Sequence, residues 1–165
     1  MARPNRPVHV VGVGMIPFTK PGASDPYHVM GARAAVAALD DAGVDYARVE
    51  QAYVGYVYGD STAGQRVVYD LGMTGIPVFN VNNNCATGSS ALYLARQAVE
   101  SGMVECALAL GFEQMSPGAL GTHFNDRPTP FDRFEEETDA LVGMPEVPLA
   151  LRYFGGAGLA YMTKH

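Results

Sequence analysis

The sequence predicts an α/β fold in which a mainly parallel sheet carries helices on its faces, in the order β-α-β-α-β-α-β. Three observations predict it. Short apolar or β-branched runs alternate with longer stretches of helical spacing, joined by short connections. The run Glu105 to Phe112 (ECALALGF) is almost continuously apolar, the pattern of a strand covered on both faces. Glycine follows each of the two long helical stretches, as Gly43 and Gly102.

The elements follow in chain order. Val8 to Val13 (VHVVGV) reads as a buried strand, being short, β-branched and apolar. Asp25-Pro26 supplies an N-cap and a proline at the first helical position. The alanine-rich helix runs from Tyr27 to Ala42, with Val29, Met30, Val36 and Leu39 as its larger apolar residues. Gln51 to Gly59 reads as the second strand, a helix follows over about 64–71, and Pro77 to Val81 reads as the third strand. Ala91, Leu92, Ala95, Ala98 and Val99 recur at helical spacing within 86–101. The core so defined is 1–115. Residues 116–165 start a different region, because 116–150 hold five of the eleven prolines and the acidic group Asp132, Glu135, Glu136, Glu137 and Asp139. That stretch reads as a long irregular excursion, with a further helix beginning in 145–161 against the opposition of Gly155, Gly156 and Gly158.

Composition narrows the function. Of 165 residues, 48% are apolar and 17% charged, against roughly 25% charged in an ordinary domain. Disorder is excluded, and the low charge predicts more covered surface than a free monomer has. A formal net charge of −6 with no Lys/Arg cluster argues against nucleic acid and anionic membranes as partners. The expectation is no membrane span, no signal-peptide run behind the first residues, and a cytoplasmic location. Cys85 and Cys106 are too few for a disulfide framework, and no ligand cluster predicts a metal. Between Val67 and Ala95 the only charged residue is Asp70, which predicts a subunit or domain interface.

Two motifs remain. Gly12-Val13-Gly14 opens like a dinucleotide fingerprint, but the third glycine would fall on Pro17, so it reads as a strand-end turn. The second motif, Asn80 to Ala91 (NVNNNCATGSSA), ends a strand in a polar corner, puts Cys85 in the turn, and opens a helix with small residues. Free N–H groups and the positive end of the helix dipole there favour a thiolate nucleophile. Gly88 and Ser89 keep bulk away, and the amides of Asn82, Asn83 and Asn84 hold the corner without charge. A small cysteine filling space at a helix start fits the same residues. Cys106, in an apolar strand, reads as an inert core residue.

The segment NNNCATGSSAL, followed by ECALALGFEQMSPGALG, resembles the nucleophile region of thiolases. The likeness is strongest to the sterol carrier protein X-type branch and the related bacterial lipid-transfer thiolases. It runs from VHVVGVGMIPF to LRYFGGAGLAYMTKH, the whole chain. The resemblance implies the N-terminal half of an acyl-CoA acyltransferase, with Cys85 as the catalytic cysteine that takes an acyl group from a 3-oxoacyl-CoA. It implies coenzyme A as co-substrate with no bound cofactor, acyl-CoA as ligand, and a homodimer or homo-oligomer. It also implies that the activating histidine, a second cysteine and further oxyanion donors lie in the second half. His9, His28, His123 and His165 are not in the family's glycine-histidine-proline context, and only His123, in a loop, is left open. The expected result is a chain that does not catalyse efficiently alone. Two alternatives stand beside it: a steroid side-chain retro-aldolase working with an acyl-CoA-binding partner protein, in which the cysteine is dispensable, and a non-catalytic assembly or binding module.

Overall fold

A computed structural model of the chain describes residues 6–117, 121, 123–143 and 147–165. Contacts divide the chain into two compact units, Met1–Ala119 and Leu120–His165. The first contains α1 (Tyr27–Ala42), a 3₁₀ turn (Tyr46–Arg48), β1 (Gln51–Gly55), α2 (Ala63–Tyr69), β2 (Val78–Val81), α3 (Thr87–Glu100) and β3 (Ala107–Gly111). The three strands form a parallel sheet in the order β2-β1-β3, with Tyr53 opposite Phe79 on one side and Ala109 on the other. Helices α1 and α2 cover one face and α3 the other, which is the three-layer arrangement that a β-α-β-α-β order dictates.

Strand alternation divides the core in two. Ala52, Val54, Leu108 and Leu110 point with Ala35, Val67 and Val68 into the layer under α1 and α2. Tyr53 points the other way, against Ala91, Ala95 and Ala98 of α3. The α3 face is built from alanines at helical spacing, so the helix lies close on the sheet. Gly55 takes this furthest: a Cβ there would stand 2.6 Å from Thr87 Cγ2. Helix α1 ends as expected, with Gly43 left-handed at φ 62° and its N–H donating to the Asp40 carbonyl.

Several expectations are corrected. Residues 8–13 are not a strand. They run extended with no ladder hydrogen bond to the sheet among the described residues, and Val10, Val11 and Val13 are 71%, 64% and 69% exposed. Instead of pairing with a strand, the Val13 N–H donates to Asp41 Oδ2 on α1 at 2.9 Å, and Gly12 and Gly14 lie against the α1 backbone. A strand needs a neighbour, and apolar composition does not supply one. Asp25 does not cap α1; Pro26 holds the N-cap place, and Asp25 pairs with Arg33 at 2.8 Å. The strand expected over 51–59 stops at Gly55.

The second unit is more helical than expected. Helix α4 (Asp132–Val142) lies inside the supposed irregular excursion, with Asp132 and Glu135 in its first turn, where the helix dipole favours acidic groups. Helix α5 (Leu149–Lys164) forms despite its three glycines, and none of its residues is buried. The expected start of that helix at 145 lies outside the described residues, as do the first five residues and parts of the 116–150 stretch. No described helix is long and apolar enough to cross a membrane.

One polar staple joins α1 to α2. Asp70 accepts from Arg66 at 2.6 Å and meets His28 Nδ1 at 3.1 Å. Its carboxyl is held below the ordinary aspartate value, first by the Arg66 hydrogen bond and then by His28. A depressed folded value stabilises in full above the unfolded value and is lost as pH falls through the folded one. Asp70→Asn is therefore expected to flatten the acid limb of stability from about pH 5 downward, read as urea midpoints against pH for the two proteins.

Candidate functional site

In open parallel sheets, the carboxyl ends of the strands are where ligands are received. Here those ends carry Tyr58 beyond β1, Cys85 beyond β2 and Glu113 beyond β3. Cys85 sits in the turn joining β2 to α3, a free thiol at an exposed residue.

The turn is held by amides and a hydroxyl. Asn84 is left-handed at φ 47°, a conformation that asparagine tolerates, and its N–H donates to Asn82 Oδ1 at 3.2 Å. Asn83 Nδ2 donates to Ser90 Oγ at 2.9 Å. Thr87, only 6% exposed, lies under the turn: its hydroxyl accepts the Asn83 N–H at 2.8 Å and donates to the Asn84 carbonyl at 2.6 Å. Upstream, Asn80 Oδ1 accepts the Gly64 N–H at 2.9 Å, and Asn80 Nδ2 donates to Gln65 at 2.7 Å, tying β2 to α2. Of the amides expected to hold the corner, those of Asn82 and Asn83 do so, while Asn84 takes part through its backbone N–H and carbonyl. Gly88, in the first turn of α3, is exposed, and apart from its chain neighbours and its own helix backbone no atom lies within 4 Å of where a Cβ would stand.

Two residues without a part in the sequence reading complete the rim. Glu113 Oε2 accepts the Val57 N–H at 2.9 Å and Oε1 accepts the Tyr58 N–H at 3.0 Å. Burial pushes the Tyr58 phenol up, with smaller contributions from Glu113 and then Cys85. For Glu113 the signal is its place just past the strand expected over 105–112, whereas Tyr58 falls inside the strand expected over 51–59 and carries none. Cys106, expected in a strand of the core, lies one residue before β3 and is half-buried against the α1–α2 core, where burial, then Glu50, pushes its thiol up.

The histidines of the first unit are engaged elsewhere or solvated. His28 pairs with Asp70, and His9 is exposed in the extended N-terminal segment. In the second unit, His123 is an exposed residue with a partner of its own, and the His165 ring lies 4.7 Å from that of Tyr161. Among the described residues no group of three or more His, Cys, Asp or Glu could hold a metal ion.

Thr87 is the hinge of the corner. Thr87→Val keeps its shape but strips the Asn83 N–H of its acceptor, an expected loss of about 1–3 kcal/mol. Thr87→Ser is expected to retain most of the stability, and urea midpoints of the three proteins check both.

The chain is 53% identical over 163 residues to sterol carrier protein 2 of Homo sapiens, covering 97% of this chain and 30% of that one. It is 41% identical over 168 residues to non-specific lipid-transfer protein-like 2 of Caenorhabditis elegans, covering 98% and 41% respectively. It is 36% identical over 110 residues to benzoylsuccinyl-CoA thiolase subunit BbsB of Thauera aromatica, covering 66% and 28%. The chain thus spans well under half the length of each. Among solved structures, 3-oxoacyl-(acyl-carrier-protein) synthase III from Aquifex aeolicus VF5 shares the fold, with TM-score 0.51 and 21% identity over 58% of this chain and 32% of that one. The family model described as thiolase, N-terminal domain, matches residues 8–143, and the chain belongs to the thiolase family through that domain.

Proposed function

We propose that the chain is the nucleophile-bearing part of a thiolase-type acyl-CoA acyltransferase, with Cys85 as the catalytic cysteine. The observation that carries this reading is an exposed cysteine at the carboxyl ends of the parallel strands, on an amide-held turn that leads into α3. In the cleavage direction, the Cys85 thiolate attacks the 3-oxo carbon of a 3-oxoacyl-CoA. The bond between the α-carbon and that carbon breaks, and the departing carbanion is protonated to a shorter acyl-CoA. The acyl group stays on sulfur as a thioester, and the thiol of coenzyme A then takes it and releases Cys85. The backbone N–H of Cys85 donates to the oxyanion formed in each step. A proton acceptor is needed for both thiols. The resemblance assigns that role, with a second cysteine, to the part of the family's length that this chain does not span.

The names of the human and nematode relatives support a lipid or sterol side-chain thioester as substrate, and that of the Thauera relative supports thiolase chemistry. Acyl transfer is preferred over retro-aldol cleavage because the turn presents the thiol, a feature that the aldol reaction does not use. Incubated with 3-oxoacyl-CoA together with its C-terminal half, the wild-type chain is expected to gain the acyl mass. Cys106→Ser is expected to gain it too, and Cys85→Ala is not. An unmodified wild-type chain in that mixture would overturn the reading.

Self-association belongs to the same proposal. Strand β2 is an edge strand with Phe79 exposed, and Leu92 and Tyr93 of α3 are 54% and 55% exposed within the stretch that has one charge. Sedimentation is expected to give a dimer or larger species, and Leu92→Glu with Tyr93→Glu is expected to shift it toward monomer.

A further inference from the structure

Glu113 does more at the sheet end than a surface carboxylate does. The last sheet bonds of the central strand region are the Tyr56 N–H to the Val81 carbonyl at 3.2 Å and the Phe112 N–H to the Gly55 carbonyl at 3.1 Å. The next two N–H groups, those of Val57 and Tyr58, have no strand to meet, and both oxygens of the half-buried Glu113 receive them. Charge-assisted bonds of this kind are short and directional, so two of them fix two consecutive peptide planes. Behind them the Tyr56 ring stacks on Phe112 with centroids 5.1 Å apart, and its hydroxyl donates to the Asp60 carbonyl at 2.9 Å. The backbone of Tyr58 is therefore held from both sides. Register sets what it is held against: Gly55 pairs with Val81, so Tyr58 and Cys85 lie three and four residues past one level of adjacent strands. Tyr58 is half-buried, and burial first, then Glu113 and Cys85, push its phenol up. The ring of Tyr58 is thus carried by a fixed backbone segment next in the sheet to the one that carries Cys85.

We propose that Glu113 is a positioning residue that fixes Tyr58 as a wall of the acyl site, and that Tyr58 thereby sets how much bulk reaches Cys85. That the bulk is an acyl chain rests on the acyl-transfer reading above. The wall itself is read without turnover. Alkylation of Cys85 in the full chain by N-ethylmaleimide and by N-pyrenylmaleimide, followed by mass, gives a bulky-to-small rate ratio for each variant. Tyr58→Ala is expected to raise that ratio at least about tenfold, a modest change for displaced geometry at a reacting atom. Tyr58→Phe, which keeps the ring, is expected to leave it unchanged. Glu113→Gln turns an amide donor toward one of the two N–H groups and is expected to raise the ratio in the same direction. Labelling at half-buried Cys106 reports loss of fold; should Glu113→Gln show it, Glu113→Asp is read instead. A ratio unmoved by Tyr58→Ala overturns the wall, and one raised by Tyr58→Ala but not by the Glu113 variant overturns the positioning role. If the acyl-mass experiment fails while the ratio still responds, the substrate reading falls and the wall stands.

Discussion

Thr87 rests against the backbone of Gly55 where α3 rises off the sheet, and most of the candidate site is arranged around that contact. Because Gly55 has no side chain, the helix start comes within 2.6 Å of where a Cβ would be. The Thr87 methyl fills that approach while its hydroxyl reaches back to Asn83 and Asn84. One residue thus serves two layers, packing below and hydrogen bonding above. The alanines that follow, Ala91, Ala95 and Ala98, continue the close approach along the helix. Larger residues there would force the strained rotamers and backbone shifts of an overpacked core. The turn above Thr87 inherits the position of the sheet, so Cys85 is placed by backbone geometry rather than by charged neighbours.

Low charge and a small core are reconciled by what stays outside. Val10, Val11 and Val13 line an extended segment that no strand pairs with, Leu92 and Tyr93 face away from the sheet on α3, and α5 buries none of its residues. Apolar area left in water forgoes about 25 cal/mol for each Å² that another surface would cover. Three such surfaces on a chain with 17% charged residues are the pattern of a domain built to be covered. The relatives, of which this chain spans 30–41%, have the length to do so.

Much of this was legible in the sequence, and the failures share a cause. The helices at 27–42 and 87–100 follow from periodicity with a glycine after each, both local properties. The sheet's parallel character follows from the order of elements, and the cysteine turn from asparagines and small residues that act on their own neighbours. What was misread depends on partners far along the chain. The segment 8–13 has the composition of a strand but meets a helix, where Asp41 takes its N–H. The strand expected to reach residue 59 ends at Gly55 because Glu113, over fifty residues on, takes the next free N–H groups. Asp25 has the chemistry of a cap, but Arg33, two turns along, pairs with it instead. Helix α4 is the exception: its acidic first turn is a local signal, yet the prolines around it make the stretch read as an irregular excursion.

The neutral character of the corner follows from the same geometry. A thiol held by Asn82, Asn83, Asn84 and Thr87 has hydrogen bonds around it that fix the backbone but offer no base. His28 cannot turn to it without giving up Asp70, and that staple ties α1 to α2 on the opposite layer from α3. A base built into this unit would have to stand at the strand ends, where Glu113 already holds two backbone N–H groups. Both its oxygens are engaged, so taking a proton would weaken the bonds that shape the rim. On the acyl-transfer reading, the proton chemistry therefore enters from a surface outside these groups.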